Sequence, residues 1–152
     1  MPSEIFDLTL PDEAATAGFA QSLAPLLGAG DTVALSGDIG AGKTAFARAL
    51  IRAKLQRAED VPSPTFTLVQ TYQADDLEIW HCDLYRLGHP DEALELGLEA
   101  AFDDALCLIE WPDRLGDALP PVALTLHFTA GEEAHRVVAY GSGDWPARLA
   151  AR

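Results

Sequence analysis

The sequence predicts an α/β fold of three layers, a mixed and partly antiparallel central sheet flanked by helices. Three observations carry that prediction. Gly37-Asp38-Ile39-Gly40-Ala41-Gly42-Lys43-Thr44 stands between the apolar run Val33-Ala34-Leu35 and the helical pattern Ala45 to Leu50, a strand–loop–helix unit. Ala105 to Ile109 is an unbroken apolar run, the pattern of a strand buried on both faces. Two further segments, Thr65 to Tyr85 and Val122 to Tyr140, read as hairpins, which a purely parallel sheet does not contain.

Taken in order, Ile5 to Leu10 reads as a short edge strand. Asp12 is then placed to cap a helix whose apolar stripe is Ala15, Phe19, Leu23 and Leu26/Leu27. Pro25 kinks or ends that helix, Gly28-Ala29-Gly30 closes it, and Asp31 to Ser36 is the central strand. The next helix spans about Lys43 to Leu55, with Phe46, Leu50 and Ala53 toward the sheet. In Val61-Pro62-Ser63-Pro64-Thr65-Phe66 the two prolines hold the chain extended, either as a plain connection or as a switch presenting Thr65 to a terminal phosphate. A strand through Tyr72, a turn at Gln73 to Asp76 and a return strand from Leu77 to Tyr85 follow. The return strand puts Ile79, His81 and Asp83 on one face and Trp80, Cys82 and Leu84 on the other. Pro90 to Gly97 is a short helix with a proline start and a glycine stop. Beyond the buried strand and the Pro120-Pro121 break, the second hairpin turns around Gly131-Glu132-Glu133, and Asp144 to Arg152 has room for a helical turn or two.

At 152 residues and 49% hydrophobic content the chain fits one domain, residues 1–152, with a proper core. No apolar run approaches a membrane span and no secretory signal is visible, so a cytoplasmic location is expected. Ten basic residues stand against 24 acidic ones, a net charge of −14 that opposes direct, tight binding to nucleic acid. Arg48, Arg52, Lys54 and Arg57 read as a solvated helix face. Cys82 and Cys107 lie in apolar contexts without metal or redox spacing and read as free, buried thiols.

Gly37 to Thr44 matches every fixed position of the phosphate-binding loop G-x-x-x-x-G-K-[ST]. Its glycines let successive backbone N–H groups turn inward toward phosphate oxygens, and the helix behind adds its positive end. Lys43 suits the β- and γ-phosphates, and the Thr44 hydroxyl suits one position on Mg²⁺. The fold class is accordingly P-loop NTPase-like.

Such a site needs hard oxygen ligands beyond Thr44. Glu110 ends the buried apolar run, where an α/β sheet places ligand-facing groups. Asp83 lies within a strand among large side chains, where a carboxylate needs a partner; a salt bridge with Arg86 is the structural alternative. Spacing leaves open which of the two faces metal and which orients water. Trp111, directly after Glu110, suits closure of the pocket, contact with a partner or core packing.

Several segments together resemble the TsaE (YjeE) family. They are the phosphate loop, Ser63-Pro64-Thr65-Phe66-Thr67-Leu68-Val69, His81-Cys82-Asp83-Leu84-Tyr85-Arg86-Leu87, Glu95-Leu96-Gly97 and Ile109-Glu110-Trp111-Pro112. The resemblance spans nearly the whole chain, with the motifs in order. It implies a bacterial ATPase of tRNA threonylcarbamoyladenosine synthesis, binding ATP and Mg²⁺ and hydrolysing ATP slowly without its partners. Those partners are TsaB and TsaD, the latter the transferase acting at position 37 of tRNAs, so tRNA is met only through the complex. It further implies Mg²⁺ at Thr44 and Glu110, a supporting Asp83, Thr65 in a switch-like loop, and the stretch Leu10 to Glu13, with Glu13 as the binding residue, near the adenine. Ala45 and Cys82 depart from common family residues without removing a group the chemistry needs. The C-terminal third, Arg136 included, carries the least of the resemblance.

Three rival readings make different demands. A small-molecule kinase shares the loop and Mg²⁺ but uses a basic lid, and beyond Arg57 only Arg86, Arg114, Arg136, Arg148 and Arg152 remain, unclustered. A GTPase switch needs an Asn-Lys-x-Asp segment, which the chain lacks. A nucleotide-sensing adaptor without significant hydrolysis shares every motif above.

Overall fold

The structure is a computed structural model that describes residues 2–56 and 69–151. Among the described residues seven strands form one sheet. They are β1 (Ser3–Leu10), β2 (Thr32–Gly37), β3 (Val69–Ala74), β4 (Leu77–Asp83), β5 (Leu106–Glu110), β6 (Leu124–Ala130) and β7 (His135–Gly141). The spatial order is β1-β7-β6-β2-β5-β4-β3. The four inner strands, β6, β2, β5 and β4, run parallel. The antiparallel hairpins β3–β4 and β6–β7, and β1 against β7, complete both sides. The mixed sheet expected from the two hairpins is the one observed.

Helices cover both faces. On one, α1 (Glu13–Leu23), α2 (Lys43–Leu55) and α5 (Trp145–Leu149) bury Phe19, Leu23, Phe46, Leu50, Ile51, Trp145 and Leu149 against Val33, Leu35, Leu106, Leu108, Leu126 and Phe128. On the other, α3 (Pro90–Glu95), α4 (Leu98–Asp104) and the 3₁₀ segment Pro112–Ala118 pack Ala93, Leu98, Ala101 and Leu115 on Cys82, Cys107 and Ile109. Alternation along β5 sorts the faces: Leu106 and Leu108 belong to the α2 side, Cys107 and Ile109 to the α4 side. Glu110, two residues beyond Leu108, falls on the α2 side.

Local chemistry sets the element ends. Asp12 caps α1 by accepting from the backbone N–H of Ala15 at 2.8 Å. Pro25 ends the α-helix at Leu23, and a 3₁₀ turn, Ala24–Leu26, takes over. α2 begins and ends where expected, although Ala47 and Ile51 share its buried stripe with Phe46 and Leu50.

Three expectations are corrected. β4 stops at Asp83 instead of Tyr85: Leu84 N–H makes the last ladder bond, to Glu110 O at 3.1 Å, and Asp83 Oδ1 then accepts from Tyr85 N–H at 3.1 Å, which draws that N–H out of the sheet. The acidic stretch after Gly97 is a second helix, α4, which starts at once because Gly97 adopts φ 86°. β6 begins at Leu124, leaving Val122 exposed. The segment 57–68, with Thr65 and the expected start of β3, lies outside the described residues. Among the described residues no helix is long and apolar enough to cross a membrane.

Candidate functional site

The phosphate loop leaves β2 at the C-terminal edge of the parallel strands and runs straight into α2. Gly37, Gly40 and Gly42 have φ of 122°, 78° and 105°. At Gly37 the requirement is also steric, since an added Cβ would stand 1.9 Å from the carbonyl oxygen of Phe128, its register partner on β6. Ala41 is fully buried beneath the loop, whereas Ile39 is 73% exposed at its tip.

Lys43 is 5% exposed. Its Nζ donates to Gly37 O at 2.6 Å and lies 3.8 Å from the centre of the Trp111 ring. Burial pulls the Lys43 ammonium below its ordinary range, while Glu110, Asp83, Asp38 and Asp113 oppose that shift. Trp111 reaches this position through a left-handed backbone, φ 59° and ψ 54°, an outlier for a bulky residue. Tyr85, 48% exposed, packs on the same ring at 5.1 Å.

Glu110 sits between two neighbours in register, Leu35 on β2 and Asp83 on β4. It is 2% exposed. The Thr44 hydroxyl donates to its Oε1 at 2.8 Å, and His81 Nε2 lies 2.7 Å from its Oε2. Burial raises the Asp83 carboxyl above the usual carboxylate range. The N–H of Tyr85 offsets part of that rise, and Glu110 adds to it.

Thr44, Lys43, Glu110 and Asp83 are thus brought together. Glu13 stands elsewhere, in the wall of a cavity of about 490 Å³ beside the loop. That cavity is bounded by Leu10 to Glu13 and Thr16, by Gly40 and Gly42 to Ala45, and by Gly131 to His135 of the β6–β7 turn. Asp38 and Ile39 lie on the loop's exposed edge. Arg136 does not join the site: it forms a two-pronged ion pair with Asp7, tying β7 to β1.

Two residues were missed from sequence. His81 has a strand face in the sequence but no legible role, although its parity with Asp83 and Ile79 turns it toward α2. His135 approaches the loop, with Nδ1 3.3 Å from where a Cβ on Gly42 would lie. No spacing rule links a hairpin residue to a loop so distant in sequence.

Among the described residues, no three His, Cys, Asp or Glu side chains cluster closely enough to hold a metal by themselves. Thr44 Oγ1 and one carboxylate remain, a donor set suited to a hard cation that takes its other ligands from phosphate and water. The residues fit Mg²⁺ with a nucleotide.

A glycine loop wrapped ahead of a buried lysine, at the C-terminal edge of parallel strands, defines a P-loop fold, the nucleotide-binding class. The family profile described as Threonylcarbamoyl adenosine biosynthesis protein TsaE matches residues 10–138. A protein of Rickettsia conorii named tRNA threonylcarbamoyladenosine biosynthesis protein TsaE is 43% identical over 122 residues, covering 80% of this chain and 70% of its own length. Its namesake in Haemophilus influenzae is 34% identical over 134 residues, with 84% of each chain covered. The crystal structure of Bacillus subtilis YdiB superposes with a TM-score of 0.81 at 26% identity, covering 99% of this chain and 93% of that one. The chain belongs to the TsaE family.

Proposed function

We propose that this chain is a single-domain, cytoplasmic, Mg²⁺-dependent ATPase that supports a TsaB–TsaD complex in forming threonylcarbamoyladenosine at position 37 of tRNAs. Membership of the TsaE family supplies the pathway. The observation that carries the site is the 2.8 Å hydrogen bond from Thr44 to Glu110 above the phosphate loop.

The residues divide the work as follows. Backbone N–H groups of Gly37 to Thr44 bind phosphate oxygens, and Lys43 exchanges Gly37 O and the Trp111 ring for the terminal phosphates. Thr44 and Glu110 would hold Mg²⁺, which neutralises and orients phosphate oxygens when bound. Asp83, beside Glu110 in register, either completes the metal's water shell or orients the attacking water. Thr65 acts from its switch-like segment on the terminal phosphate. Glu13 belongs to the base side of the nucleotide, in the cavity next to the loop. The acidic balance of the chain, −14, suits a subunit that reaches tRNA only through protein partners.

The kinase alternative loses support from two arginines. Arg136 and Arg148 are engaged by Asp7 and Asp31, so neither is a ready phosphate clamp. The adaptor alternative differs from the proposal only in turnover.

Reconstitution tests the reading. With purified TsaB, TsaD, tRNA and the other reaction components, adding this chain and ATP is expected to give repeated rounds of modification. Modification that does not depend on the chain, or that proceeds equally with Lys43→Ala, contradicts it. ATP binding without measurable hydrolysis in the presence of partners favours the adaptor.

A further inference from the structure

His81 is fully buried on the α2 side of β4, and Nε2 meets Glu110 Oε2 at 2.7 Å. Thr44 holds the other carboxylate oxygen. Glu110 is therefore gripped at both ends, one donor to each oxygen. The second imidazole nitrogen, Nδ1, is buried and has no hydrogen-bond partner among the described residues. A carboxylate can only accept, which assigns a proton to Nε2, while Nδ1 has no acceptor among the described residues that would call for one there. The opposite tautomer would set two acceptors against each other at 2.7 Å and leave an N–H without a partner.

We propose that His81 is a positioning residue. It fixes the rotamer of Glu110 so that Oε1 meets Thr44 before a nucleotide arrives, and it thereby sets the affinity of the nucleotide-loaded site for a divalent cation. The inference rests on the proposed reading of Thr44 and Glu110 as cation-facing groups. Outer partners of this kind change metal affinity about 10- to 100-fold.

Two measurements on the full chain test it. In ligand-free protein carrying ¹⁵N-histidine, long-range ¹H–¹⁵N correlation is expected to show His81 as the Nε2–H tautomer, with its resonances displaced in Glu110→Gln. An Nδ1–H tautomer overturns the proposal. The second is a Mn²⁺ titration followed by electron paramagnetic resonance, with a non-hydrolysable ATP analogue present. Here His81→Leu should weaken Mn²⁺ binding about 10- to 100-fold. His81→Gln, whose amide N–H reaches the place of Nε2, should recover most of that loss.

Wild-type Mn²⁺ affinity in His81→Leu overturns the proposal, as does an equal loss in both folded variants. Should His81→Leu fail to fold, the tautomer in the wild-type protein still decides. Glu110→Gln separates the two readings. Unchanged Mn²⁺ affinity there removes the cation-facing role of Glu110, whereas a loss there with none in His81→Leu removes only the role of His81.

Discussion

The Lys43 ammonium rests 3.8 Å from the centre of the Trp111 ring, held there by a tryptophan whose backbone is left-handed. Holding a bulky residue in that conformation costs on the order of 1–3 kcal/mol. The cation–π contact of a partly desolvated amine offsets about 1–2 kcal/mol of this. A phosphate that draws Lys43 away removes the contact and changes the ring's surroundings. Adding ATP with Mg²⁺ should therefore alter the intrinsic fluorescence, and Trp111→Phe should abolish the change while Trp80 and Trp145 still emit. A wild-type signal that stays flat while calorimetry records binding would show that Lys43 does not leave the ring.

The hydrogen bond between Thr44 and Glu110 predicts matched losses. Mg²⁺ contributes several kcal/mol of charge stabilisation to phosphoryl transfer, so Glu110→Gln should reduce ATP turnover about 100-fold or more. Thr44→Val should do the same, with nucleotide affinity in EDTA nearly unchanged in both. Turnover within about threefold of wild type in either variant, by a coupled assay, would remove that group from the site.

Asp83 carries a pH signature. Its carboxyl is raised by burial, so the ionised form opposes folding once the pH passes the unfolded value. The sign follows: stability is lost as pH rises from the unfolded pKa through the folded one. Asp83→Asn keeps an acceptor for Tyr85 N–H and should be the more stable protein at neutral pH. Its advantage should shrink below about pH 4, where the wild-type carboxyl is protonated in both states. Urea titrations across that range check it, and an advantage that grows toward acid pH contradicts it.

Gly37→Ala should be the most damaging loop substitution. The new Cβ would overlap Phe128 O, and φ is 122°. A loss of at least about 2 kcal/mol is expected, or failure to fold. Gly28→Ala, with open space around it and an ordinary φ, is the control, expected within about 0.5 kcal/mol of wild type.

The thiols of Cys82 and Cys107 are both buried, and burial pushes Cys82 well above its usual range and Cys107 up to about 12. Neither should react with a disulfide reagent at pH 8 in the folded protein, and both should react in urea. Prompt labelling of one thiol without denaturant would show that the α3–α4 layer opens locally.

Sequence made the parallel centre of the sheet legible because its signals are local. A complete glycine loop, an unbroken apolar run and two hairpin turns each announce themselves within a few residues. The gathering of Thr44, Glu110 and Asp83 was legible for a related reason, since strand ends and strand-embedded carboxylates point to one edge of an α/β sheet. The grip of His81 on Glu110 was not. It depends on β4 and β5 lying in parallel register, with His81 opposite Leu108 and Glu110 one step along the same face. Nothing in the spacing of the two residues encodes that register. The left-handed Trp111 was equally hidden, because aromatic residues do not announce such a backbone. α4 was missed because its acidic composition masked a buried edge only two residues wide, Leu98 and Ala101. His135 comes to the loop because β6 pairs with β2 as far as Gly37 and Phe128, a register its own turn does not encode.

The cavity beside the loop has walls from three distant stretches: residues 10–16, residues 40–45 and residues 131–135. The first and last are joined through β1 and β7, where Leu10 faces His135 in register. A growing chain therefore has two of the three walls until the sixth and seventh strands have emerged and the opening strand has paired with β7. Any molecule that needs all three walls reads completion of the sheet, and in binding it ties residues 10–16 more firmly to residues 131–135.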